Sequence, residues 1–196
     1  MRLARDGLTR FRIGGVTQFV AFLRAINVGG RTVKMERLRD LFTTAGYTNV
    51  KTFIASGNVL FDAKHRDAAR LENKIESLLG EALGFEVATF VRSMTDLRAI
   101  AQHDPFVDSD RGKGANGELF VGFLKLPPSA ERANEVESLS TDLDQFRFRG
   151  AELYWLCRTR VSDSPVSGAL LERKLTAPLT IRNARTVRKI VAANPR

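Results

Sequence analysis

The sequence predicts an α+β protein, a ferredoxin-like βαββαβ unit followed by a second, related α+β subdomain. Residues 17–92 alternate between period-two and period-3.6 apolar spacing in the order β-α-β-β-α-β. Residues 93–196 open with a short helix and then read β-α-β-β-α, an incomplete echo of the first half. With 196 residues, 43% of them hydrophobic, the chain has the apolar content to bury such a core.

Each element has a local cause. Phe19-Val20-Ala21-Phe22-Leu23 is a continuous apolar run that reads as a strand buried on both faces. Met35, Leu38, Leu41, Phe42 and Ala45 recur at helical spacing, and Gly46 closes that helix. Val50, Thr52 and Ile54 begin a hairpin, Ser56-Gly57-Asn58 marks its turn with φ > 0 expected at Gly57, and Val59-Leu60-Phe61 continues it. Leu71, Ile75, Leu78, Leu79 and Ala82 form the stripe of a longer helix ending near Gly84, and Phe85–Val91 alternates as a strand. Ser93 and Asp96 form a capping box ahead of Leu97 and Ile100. Residues 103–117 are loop-like. Leu119–Leu126 is an apolar strand stopped by Pro127-Pro128, and Ser129 caps the next helix. Phe146 and Phe148, the Gly150 turn, then Leu153, Trp155 and Cys157 make a second hairpin. Residues 166–175 are helical, and a last helix starts near Asn183 with Val187 and Ile190 inward.

The formal charge is +9, and its distribution is uneven. Arg2, Arg5, Arg10 and Arg12 face only Asp6 within residues 1–16, and Arg182, Arg185, Arg188, Lys189 and Arg196 have no acid beside them. A basic end can bind nucleic acid by counterion release, or form a solvated face. Residues 1–16 lack the apolar core of a secretion signal and read as a flexible N-terminal arm. No apolar run approaches the ~20 residues that a membrane span requires. One cysteine rules out an internal disulfide framework and suits a reducing, cytoplasmic location. Two isolated histidines exclude the usual zinc frameworks, so no metal or cofactor is implied.

Three motifs are specific. Phe19–Leu23 runs into Arg24-Ala25-Ile26-Asn27-Val28-Gly29-Gly30, then Lys34-Met35. Thr52-Phe53-Ile54-Ala55-Ser56-Gly57-Asn58-Val59-Leu60-Phe61 follows, and Thr180-Ile181-Arg182-Asn183-Ala184-Arg185-Thr186-Val187 comes near the end. In this order, between residues 18 and 192, the chain resembles the mainly bacterial domain of unknown function 1697 family. That family carries glycine where Ala25 stands, a common glutamine at Ala55 and tryptophan at Ala184. The resemblance implies the ferredoxin-like architecture and no activity.

The stretch from Arg24 to Lys34 holds Arg24, Asn27, Gly29, Gly30, Arg31 and Lys34 and no acid. Glycines let backbone amides approach a ligand, and the following helix start adds partial positive charge, so the loop could hold a phosphate or carboxylate. It fits neither the Walker nor the dinucleotide pattern, and a plain glycine turn with Asn27 bonded to backbone explains it equally well. Ser56 and Asn58 could orient the same ligand or simply make a turn. Arg182 and Asn183 would join them if the last motif approached the 24–34 loop, although Asn183 is also a good helix cap.

These residues lead to an anionic small-molecule ligand, with phosphate-containing compounds among the candidates. The alternatives are a non-specific nucleic-acid binder acting through the basic termini and an enzyme on an anionic metabolite. No catalytic constellation is visible, because Ser56 has no elbow motif or nearby histidine and Cys157 sits in a strand. Asp104, Asp108 and Asp110 depart from calcium-loop spacing. One aromatic, Phe61, is too few for an RRM stacking strand. Oligomeric state is not legible.

Overall fold

The computed structural model describes residues 15–27, 32–54, 57–106 and 117–195. The first half contains β1 (Thr17–Leu23), α1 (Met35–Thr44), β2 (Thr48–Phe53), β3 (Asn58–Ala63), α2 (Ala68–Leu83), β4 (Thr89–Ser93) and α3 (Met94–Gln102). Its strands form one antiparallel sheet in the order β2-β3-β1-β4, so each of α1 and α2 carries the chain across one intervening strand. The second half contains β5 (Glu118–Phe123), α4 (Ala130–Glu137), β6 (Asp144–Arg149), β7 (Glu152–Cys157), α5 (Gly168–Leu175), β8 (Thr180–Asn183) and α6 (Ala184–Ala192). Its sheet order is β6-β7-β5-β8.

The second half is therefore a complete βαββαβ unit with its own trailing helix, which corrects the incomplete echo. The missed strand, β8, has only four residues, and Thr-Ile-Arg-Asn lacks apolar alternation. The strand expected over Phe85–Val91 begins only at Thr89. Its partner β1 ends at Leu23, opposite Thr89, and beyond that one bond, Arg24 N–H to Ala88 C=O at 2.8 Å, continues the pairing.

Period-two alternation sorts the side chains into three cores. On one face of the first sheet, Phe19, Ala21 and Leu23 meet Leu38 and Phe42 of α1 and Leu71, Ile75 and Leu79 of α2. On the other, Val20, Phe22, Leu60 and Phe90 meet Leu119, Val121 and Phe123 of the second sheet, with Leu97 of α3 and Val187 of α6 in the same cluster. The outer face of the second sheet packs Phe146, Leu153 and Trp155 against α4 and α5. The helix starts follow their caps. Ser93 Oγ accepts from Asp96 N–H and donates to the Asp96 carboxylate at 2.6 Å, Ser129 Oγ accepts from Arg132 N–H, and Asn183 Oδ1 accepts from Arg185 N–H.

Superimposing the two strand registers exposes a repeat at residue level. Val20 faces Arg92 across β1–β4, and Val121 faces Arg182 across β5–β8. The equivalent hexapeptides are Phe-Val-Ala-Phe-Leu-Arg (19–24) and Phe-Val-Gly-Phe-Leu-Lys (120–125). Downstream, Arg92, Leu97, Arg98 and Ile100 correspond to Arg182, Val187, Arg188 and Ile190. The equivalent rings of Phe22 and Phe123 stack on each other at 4.2 Å. Contacts between equivalent residues are the mark of a two-fold arrangement.

Candidate functional site

Where β1 and β5 end, each half reaches into the other. Arg92, near the end of β4, donates Nη2 to Leu124 C=O at 2.6 Å, Nη1 to Val91 C=O and Nε to Glu152 at 2.7 Å. Arg182 of β8 does the same in reverse. It donates Nη2 to Leu23 C=O at 2.9 Å, Nη1 to Ile181 C=O and Thr180 Oγ1, and Nε to Asn58 Oδ1 at 2.8 Å. Each guanidinium also lies over the other half's phenylalanine, Arg92 over Phe123 and Arg182 over Phe22. Burial pushes the Arg182 guanidinium down to about 10, still cationic at neutral pH.

One residue further on, a second reciprocal pair forms. Arg24 Nη2 meets Glu172 Oε2 of α5 at 2.7 Å, and Glu172 Oε1 accepts from Leu179 N–H. Its counterpart Lys125 meets Glu76 Oε2 of α2 at 2.7 Å, and Glu76 Oε1 accepts from Thr89 N–H. Each glutamate thus satisfies an amide at the entry to an edge strand of its own half, Thr89 of β4 or Leu179 just before β8, and a cation of the other half.

Arg182 reaches the Leu23 carbonyl at the end of β1, one residue before Arg24. Arg182 is directed at protein acceptors, whereas the Arg24 side chain is 43% exposed. Arg24 lies at a shallow, solvent-open depression of about 380 Å³ that also takes in Glu172, Arg173 and the Thr176–Pro178 segment. Asn27 Oδ1 accepts from Val33 N–H at 2.7 Å and so closes the base of the loop. Gly29, Gly30, Arg31 and Ser56 lie outside the described residues. Asn58 is fully buried, donating to Phe53 C=O and accepting from Arg182. Asn183 caps α6 and donates to Glu118.

Sequence reasoning missed Arg173, Glu172, Lys125 and Arg92. The repeated hexapeptide is the signal that finds Lys125, as the counterpart of Arg24; the equivalence of Arg92 with Arg182 needs the two strand registers. Elsewhere, Cys157 is buried with its thiol pushed up by desolvation, and His103 packs edge-on against Tyr154 at 4.9 Å. Among the described residues no cluster of three His, Cys, Asp or Glu is placed to hold a metal. Nor, among them, is any helix long and apolar enough to cross a membrane.

A sequence model of the family described as a protein of unknown function (DUF1697) matches residues 16–154, so the third motif lies beyond the matched region. No curated protein matches the sequence. Among solved structures, a conserved bacterial protein from Streptococcus pneumoniae is similar, with a TM-score of 0.68 and 24% identity over 91% of this chain and 98% of that one. That likeness is one of fold.

Proposed function

The chain belongs to the DUF1697 family of proteins of unknown function, and from that premise we propose that it is a non-catalytic receptor for a small anionic ligand, entered at Arg24. The observation that carries this reading is the mouth itself. A half-exposed Arg24 and Arg173 line a shallow, open depression of about 380 Å³, with Glu172 as the acid within it. A partly exposed ion pair is worth roughly 0–1 kcal/mol. A phosphate or carboxylate offering charge-assisted bonds to a guanidinium can therefore take the place of Glu172. In this reading the backbone around Gly29 and Gly30 and the side chains of Asn27, Arg31 and Ser56 complete the receptor. Arg182 and Asn58 are positioning residues that fix the Leu23 carbonyl from which Arg24 projects, and Asn183 anchors the helix behind them. The buried, unpaired Cys157 suits a reducing compartment such as the cytoplasm.

The test is a thermal-shift screen with pyrophosphate, sugar phosphates and nucleotides, each against chloride at matched ionic strength. Stabilisation by at least one anion, lost in Arg24→Ala, is expected. Absence of any shift removes the reading. A second reading rests on α6, whose outer face presents exposed Arg185, Arg188 and Lys189. Oligonucleotide binding that falls steeply with salt, and that depends on these three rather than on Arg24, supports it.

A further inference from the structure

We infer that the ligand entering at Arg24 is an amphipathic anion, one that carries an apolar body behind its charged group; this rests on the anion-receptor reading above. The Arg24 mouth adjoins a second cavity of about 370 Å³ along the Thr176–Pro178 segment that the two share. The second cavity is mostly apolar, walled by Leu124, Leu126, Pro127, Pro128, Leu175 and Pro178. Its rim residue Leu126 is 73% exposed, the highest value among the exposed large hydrophobics, beside two prolines that cannot be drawn into a strand.

Charge sets the ligand's direction. Arg24 and Arg173 outnumber Glu172 at one end. Lys125 and Arg132 edge the apolar cavity, Lys125 held by Glu76 and Arg132 by Glu135. A third cavity on the far side of Pro178 carries Glu76 and Glu86 with Lys125 and is acidic on balance. An anionic head is therefore drawn to the Arg24 end and repelled from the Glu86 end, which leaves the apolar walls for the tail. Thr176, shared by the two cavities, is the left-handed C-cap of α5 at φ 52°, with its N–H bonded to Glu172 C=O, so the end of that helix fixes the segment between them.

The test is a titration of the full chain with inorganic phosphate and with butyl, hexyl and octyl phosphate below their micellar concentrations, read by calorimetry. Fully buried methylenes each add ~0.8 kcal/mol, so the Kd should fall by up to about fourfold per methylene and by at least about tenfold from butyl to octyl. Leu126→Ser removes an exposed side chain. It should flatten this dependence while leaving the phosphate Kd unchanged, and Arg24→Ala should weaken every member of the series. Equal Kd values for phosphate and octyl phosphate overturn the amphipathic ligand and leave the anion receptor standing. Octyl phosphate binding that is indifferent to Arg24→Ala overturns both.

Discussion

Ala25 occupies a backbone conformation, φ 54°, in which a Cβ crowds the following carbonyl. Its family resemblance predicts glycine there, and the dihedral supplies the reason. Ala25→Gly should raise stability by about 1 kcal/mol in urea unfolding, and an unchanged or lower midpoint contradicts the strain. The two arginines of the candidate site should behave differently. Arg182→Ala removes the guanidinium that donates to Leu23 C=O, Asn58 Oδ1 and Thr180 Oγ1 and should cost on the order of 3 kcal/mol. Arg24→Ala removes a half-exposed pair and should cost less than about 1 kcal/mol. Similar losses for both would place Arg24 inside the structural clamp and out of a receptor. The motifs containing Arg24, Asn58 and Arg182 are legible in the sequence. Their purpose is not, because 124 positions separate Arg182 from Asn58 and 159 separate it from Leu23. Only folding decides which guanidinium turns inward.

At the scale of elements, side-chain oxygens occupy the outer edges of β4 and β6. Glu76 and Glu72 of α2 accept from Thr89 and Val91 N–H along β4, while Ser140 and Glu137 serve Phe146 and Phe148 along β6. Such capping blocks edge-to-edge association. Glu72 is the extreme case. It is buried, and desolvation raises its carboxyl above the ordinary 4.5 despite the Val91 amide and Arg92 nearby. The folded state then holds its proton more tightly than the unfolded chain does, so stability falls as pH rises from 4.5 through the raised value. The stability of the native protein relative to Glu72→Gln should decline across that window, and a difference that is flat or rises with pH contradicts this account. Helix starts were legible because Ser93, Ser129 and Asn183 act on neighbours two or three residues away. β8 was not, because a four-residue strand is defined by its partner β5 rather than by its own pattern.

At the scale of the molecule, the two βαββαβ halves share one central core and hold each other by reciprocal contacts: Phe22 on Phe123, Arg92 to Leu124 C=O and Arg182 to Leu23 C=O. They should unfold as one unit. Fluorescence of the only tryptophan, Trp155 in the second half, should follow the same urea transition as far-ultraviolet circular dichroism, which reports both halves. Separate midpoints would show that the shared core does not couple them. Symmetry also frames the function. The mouth at Arg24 and its counterpart at Lys125 arise from one repeated design, and only the first gathers two arginines around a single carboxylate. The most direct measurement is the stability of the native protein and of Arg24→Ala in pyrophosphate and in chloride at equal ionic strength. The native protein should gain about 2.7 kcal/mol when pyrophosphate is present at 100 times its dissociation constant, and Arg24→Ala should gain little. Equal stability in the two salts, or an equal gain in both proteins, contradicts an anion receptor at this mouth.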